Sequence, residues 1–237
     1  MSERLLLDEG TQLELGMSLY KAGLFGIKEN PNDYITLKSG RKSPHYFDIR
    51  PGISNIDLRE DISYAMSDLA KAKADERGFK QGVTKAYDHF VGTPEAMTSY
   101  AMLIAYIGNM SLLQPRVDQN KATGNKTPVL GNYSQGDLIA AFDDVVTDGQ
   151  SKIDMIGSLT ASGLVVVDYF VAVDREEGGA LQVFAETGVE VTPALAVSSL
   201  VTMLHSQGEI TQTQHDNVAE YIGQYGDPHA QVLMNVA

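Results

Sequence analysis

Two adjacent carboxylates close an apolar run and are followed by small hydroxyl residues. Residues 138–151 read LIAAFDDVVTDGQS. A buried strand ending in Asp143 and Asp144 would deliver both acids to one edge of a sheet. The loop behind it, through Thr147, Gly149 and Ser151, then opens a helix. Backbone N–H groups at a helix start, with the positive end of the dipole, bind phosphate. Thr147 and Ser151 add hydroxyl donors, and Gly149 lets the backbone approach an anion closely. The acids would repel that phosphate. They suit sugar hydroxyls or a hydrated Mg2+ instead. A phosphate cradle beside a diol-binding acid pair describes a ribose 5-phosphate site. A plain strand–turn–helix with N-capping acids fits the same spacing. The segment has neither the Gly-Lys-Ser/Thr of a Walker A loop nor a G-x-G-x-x-G fingerprint.

Three other segments carry residues able to do chemistry. ITLKSGRKSPHYFDIR, residues 35–50, puts Lys38, Arg41 and Lys42 within five positions of a chain that holds 18 basic against 31 acidic residues. Such a cluster is a solvated turn or an anion site. Tyr46 and Phe47 beside it could stack on a planar ring or pack in the core. DREEGG, residues 174–179, follows a second apolar run and offers Arg175 for two-pronged pairing with a carboxylate. QPRVDQNKATGNK, residues 114–126, is polar and longer than a simple connection, as mobile lids are. The five histidines show no close ligand spacing. His89 is expected at a strand end near the site.

These residues need a scaffold, and the periodicity supplies one. Residues 1–25 read as a helical lead-in and 34–50 as short strands around a loop. Leu58, Ile62, Ala65, Met66, Leu69 and Ala72 recur at helical spacing, which predicts a helix from Leu58 to Arg77. Asp57 with Glu60 resembles its capping box. Strands are then expected at Asp88–Val91, Ser111–Leu113, Leu138–Phe142, Leu164–Val173 and Val189–Val197. Helices are expected at Glu95–Ile107, Gln150–Ser162 and Ser199–His205. Strands apolar throughout, alternating with amphipathic helices, indicate a parallel sheet covered on both faces. Ligands then bind beyond the strands' carboxyl ends, at Gly92–Glu95, Asp143–Ser151 and Asp174–Gly179.

Composition narrows the classes. The formal charge of −13 disfavours nucleic-acid binding, which needs clustered Lys and Arg. The absence of cysteine removes disulfides, thiolate nucleophiles and Cys-ligated zinc, and fits a reducing compartment. No apolar stretch approaches the roughly 20 residues of a bilayer span. A cytoplasmic protein is expected, with no nucleic-acid or membrane partner.

FDDVVTDGQS, residues 142–151, resembles the phosphoribosyl-diphosphate (PRPP) motif of type I phosphoribosyltransferases. LKSGRKSP with the aromatics behind it, and DREEGG, resemble segments of orotate phosphoribosyltransferases in particular. The likeness runs from about Leu19 to His205. It implies a type I phosphoribosyltransferase-like α/β fold with a central mostly parallel sheet flanked by helices and a small N-terminal hood. A single domain over 1–237 would comprise a helix and hood strands (1–55), an α/β core (56–205) and a polar, helical extension (206–237). PRPP would meet Lys38, Asp143, Asp144, Val145, Thr147, Asp148, Gly149, Gln150 and Ser151. Thr93 and Pro94, in GTPEA at 92–96, would join them as a pyrophosphate loop. Orotate would meet Tyr46, Phe47, Thr147 and Arg175, the cations Lys38 and Arg175 suiting its charge. The resemblance makes loop 114–126 the catalytic one, with Arg116 and Lys121 acting alongside Asp144. In that loop Val117 stands where Lys is common and Thr123 where His or Tyr is common. Mg2+ would be held through PRPP, with Asp143 and Asp144 as further ligand candidates. A homodimer is implied, the loop reaching the neighbouring site. The alternatives are a transferase for another base and a catalytically impaired sensor of PRPP or a nucleotide.

Overall fold

The computed structural model describes residues 7–37, 39–78, 86–116, 128–146, 150–177 and 187–234. Helix α1 (Glu9–Lys21) leads into a hood of short strands: β1 (Phe25–Ile27), β2 (Ile35–Thr36), β3 (Lys42–Ser43) and β4 (His45–Phe47). β1 pairs antiparallel with β4, and β2 with β3. Helix α2 (Ile56–Glu76) then crosses to the main sheet. Its N-cap is Asn55, whose side chain accepts from Leu58 N at 3.2 Å. The capping box expected at Asp57 is therefore displaced: an Asn two residues earlier already satisfies the orphan donor, and Asp57 sits in the first turn, where its charge favours the dipole.

The main sheet contains β5 (His89–Gly92), β6 (Ser111–Pro115), β7 (Val129–Leu130), β8 (Leu138–Val146), β9 (Val165–Asp174) and β10 (Glu190–Ala196). Their order is β10-β9-β8-β5-β6-β7, parallel except for β7. Helices α3 (Thr98–Ile107), α4 (Gln150–Ala161) and α5 (Val197–Ser206) alternate with the strands. One face buries Phe90, Phe142 and Phe170 against α1, α2, α3 and α5. The other buries Ile139, Ala141 and Val171 against Ile156 and Leu159 of α4. Both faces being covered, the strands are apolar at consecutive positions, as the sequence shows. Asp168 interrupts β9 and is fully buried. Tyr87 donates to it at 2.7 Å and Arg77 pairs with it at 2.6 Å, so the charge has partners.

The extension is two helices, α6 (Gln212–Tyr225) and α7 (Pro228–Met234). It joins the main core through Val218, Ile222, Ala230 and Met234. Its polar composition reflects only its outer face. Among the described residues no helix is long and apolar enough to cross a membrane.

Candidate active site

The carboxyl ends of β5, β8 and β9 lie side by side. Gly92 is in register with Phe142, and Val146 with Asp174. β8 thus runs four residues past β5 before its ladder with β9 ends. The acid pair lies within β8 rather than behind it, a longer strand than the apolar run predicted. The pairing with β9 continues to Val146, and neighbouring backbone keeps the strand going past two polar side chains.

Asp143 is buried and Asp144 only partly so. Lys152 Nζ, from the first turn of α4, lies 2.8 Å from Asp143 Oδ2 and 3.9 Å from Asp144 Oδ1. The Tyr169 hydroxyl donates to Asp143 Oδ2 at 3.0 Å. It also shares a 2.8 Å hydrogen bond with Thr93 Oγ1, tying the β5 turn to the acid pair. Burial pushes the Tyr169 phenol well up, so it stays a neutral donor. Burial and the negative Asp143 push the Asp144 carboxyl up to about 6, against the pull of Lys152.

Asp143 is not arranged as a direct metal ligand. An ammonium already faces it, and a phenol takes the same oxygen. Among the described residues no group of three or more His, Asp or Glu could hold a metal ion. Asp143 is thus engaged within the protein, and Asp144 is the more accessible acid of the pair.

The β5 turn places Thr93 and Pro94 half-buried, with Glu95 exposed. Gly92 permits its tight geometry: a Cβ there would stand 2.5 Å from Ala101 Cβ and 2.6 Å from Met97 O. Val145 is half-buried and Ser151 is exposed in the first turn of α4. Arg116 follows β6 and donates its backbone N–H to Pro128 O at 2.9 Å. Its Nε is buried with no hydrogen-bond partner among the described residues. Lys38, Lys121, Thr147, Asp148, Gly149 and the side chain of Gln150 lie outside the described residues, as do Val117 and Thr123.

Arg175 continues from β9, and its backbone N–H reaches Val146 O at 3.2 Å. Its guanidinium is buried and pairs with Glu177 Oε1 at 2.7 Å, with Ser43 Oγ at 3.3 Å. Glu176, at φ 57°, turns its carboxylate to the start of α5. There it accepts from Ser198 N at 2.7 Å and Ser198 Oγ at 3.0 Å, as an acid at a helix N-terminus should.

Two expectations are corrected. Tyr46 and Phe47 cannot both face a ligand, because successive strand side chains point to opposite faces. Tyr46 is 37% exposed, whereas Phe47 is 6% exposed and belongs to the core. His89 opens β5 instead of closing it. Its Nε2 meets Asp137 Oδ2 at 2.9 Å, on the sheet edge opposite the acid pair. Tyr169 and Lys152 were missed. Their signals were a Tyr inside an apolar strand, where the hydroxyl must find a partner, and a Lys in a helical first turn, where the dipole disfavours a cation.

No protein-family model matches the chain. It is 29% identical over 204 residues to a uridine 5'-monophosphate synthase of Caenorhabditis elegans, covering 85% of this chain and 37% of that protein. It is 27% identical over 168 residues to an orotate phosphoribosyltransferase of Thermoplasma volcanium, covering 71% of this chain and 90% of the other. The chain thus spans little over a third of the first relative and nearly all of the second. The solved UMP synthase of Leishmania donovani superposes with a TM-score of 0.73 at 25% identity, over 90% of this chain and 42% of that one. The central, mostly parallel sheet flanked by helices gives the chain the α/β fold of the phosphoribosyltransferase structures it superposes on. Within that fold, the sequence is similar to orotate phosphoribosyltransferases and to part of the UMP synthases.

Proposed function

We propose that this chain is an orotate phosphoribosyltransferase, a pentosyltransferase of pyrimidine synthesis. It would move the 5-phosphoribosyl group from PRPP to orotate, giving orotidine 5'-monophosphate and pyrophosphate. The observation that carries this reading is the ladder joining Val146 to Asp174 and Arg175. It supports the reading by bringing the strand that carries the acids, which suit a sugar diol, alongside the segment that carries Arg175, whose guanidinium suits an anionic ring.

In this reading the half-buried Asp144 accepts a ribose hydroxyl, while Asp143, held by Lys152 and Tyr169, backs it. The start of α4, with Thr147, Asp148, Gly149, Gln150 and Ser151, takes the 5-phosphate, and Thr93 and Pro94 face the diphosphate. Tyr46, Thr147 and Arg175 hold the base, with Lys38 beside it. The bond from the anomeric carbon to the diphosphate oxygen breaks, and the ring nitrogen of orotate forms the new bond. Catalysis is positioning plus stabilisation of the departing charge by Arg116 and Lys121. Mg2+, held through PRPP, would supply neutralisation of the diphosphate charge. A homodimer is part of the proposal, with loop 114–126 serving the neighbouring site. Met102 and Tyr106, one turn apart on α3 and exposed, suit a covered face. The absence of cysteine fits a cytoplasmic setting.

Loss of orotate absorbance in a mixture with PRPP and Mg2+ tests the reaction. Turnover needing every component, and falling in Asp144→Asn and Lys121→Ala, is expected. PRPP binding without turnover of orotate would exclude it, and a panel of bases would then separate another transferase from a sensor.

A further inference from the structure

Glu177 is a carboxylate that the chemistry above does not use, and it is 1% exposed. Four side chains from separate parts of the chain converge on it. Arg175, from the end of β9, stands 2.7 Å from Oε1. Arg41, from the hood turn, stands 3.2 Å from Oε2. Tyr221, from α6, donates its hydroxyl to Oε2 at 3.0 Å. His45 of β4 lies 3.7 Å from Oε1. Tyr225, the last residue of α6, lies beneath Arg41, with 5.2 Å from guanidinium carbon to ring centroid. Burial and the Arg175 guanidinium hold His45 well below the usual imidazole range, so it is neutral. Within this contact set one carboxylate faces two guanidiniums, leaving a formal surplus of one positive charge. Arg175 Nε is buried with no hydrogen-bond partner among the described residues. An under-compensated, under-bonded cation in a buried place is a site for an anion.

We propose that Glu177 and Tyr221 are positioning residues: the extension helix α6 holds Glu177, and Glu177 aims Arg175 and the hood segment 41–47 at the anionic base. This deepens the orotate reading and rests on it. The physical reason is geometric. Arg175 has several rotatable bonds and follows a strand end, so its aim has to come from neighbours. A buried acid fixed from its far side by a phenol supplies that aim at little entropic cost. The extension is then part of the base-binding half of the molecule.

Three variants test this in the full-length chain: Tyr221→Phe, Tyr225→Leu and Glu177→Gln. Tyr221→Phe removes one hydroxyl and keeps the packing. Orotate KM should rise about tenfold in Tyr221→Phe and more in Glu177→Gln. Tyr225→Leu should follow in the same direction. PRPP KM and kcat should stay within about twofold. Equal rises in both KM values, or an unchanged orotate KM in Tyr221→Phe, would overturn the proposal. Hydrogen exchange across residues 41–47 of the unliganded protein is the second readout. Faster exchange in Tyr221→Phe supports positioning, and unchanged exchange overturns it. Should the parent chain fail to turn over orotate, the exchange result still decides positioning, and the failure counts against the orotate reading alone.

Discussion

Lys152 Nζ lies 2.8 Å from Asp143 Oδ2, and the pair is almost wholly buried. Lys152 occupies the third position of α4, where the helix dipole opposes a cation. Asp143 is therefore the reason a lysine is tolerated there. Removing one member strands the other charge. Lys152→Met should cost about 3 kcal/mol of stability, and adding Asp143→Asn should recover part of it. Urea denaturation of the two singles and the double measures the coupling, and strictly additive losses would contradict it.

Asp168 gives a stability effect with a definite sign. Burial pushes its carboxyl up to about 6, above an ordinary 3.8, although Tyr87 and Arg77 pull the other way. The folded state thus holds this proton more tightly than the unfolded chain does. The contribution is fully present below about pH 4 and is lost as pH rises through 6. Relative to Asp168→Asn, the parent chain should lose up to about 3 kcal/mol between pH 4 and pH 7. Melting of both proteins across that range checks it, and a parent gaining on the variant would reverse the sign.

Tyr46 and Phe47 should separate cleanly. Phe47→Ala opens a cavity in the hood core and should cost about 3 kcal/mol of stability. Tyr46→Ala should leave the melting temperature nearly unchanged and weaken binding of the planar base, read by calorimetry. The reverse assignment of the two effects would mean that the strand's inward and outward faces are exchanged.

Gly92→Ala tests the tight turn after β5. The added methyl meets Ala101 Cβ and Met97 O, and backbone cannot yield as a flexible side chain can. A loss of about 1–3 kcal/mol is expected. A drop in PRPP affinity should accompany it, because Thr93 and its link to Tyr169 follow directly. Thermal melting and PRPP titration of the variant read both, and an unperturbed protein would show that the turn has room.

Alternation of apolar runs with amphipathic helices already determined the sheet. Parallel strands covered on both faces must be apolar at successive positions, and that pattern is local. Asp143, Asp144 and Arg175 were legible for the same reason, because polar residues at the ends of such strands fall on one edge. Tertiary structure alone decided which charges meet. Lys152 to Asp143, Tyr169 to Thr93 and Tyr221 to Glu177 join residues from different elements, and their pairing depends on which strands are neighbours and which helices lean over them. The fate of Phe47 and the place of the extension were decided there too. Whether an aromatic or an amphipathic helix finds a ligand, water or a core depends on which surface stands opposite, and the sequence by itself does not say how the elements are placed.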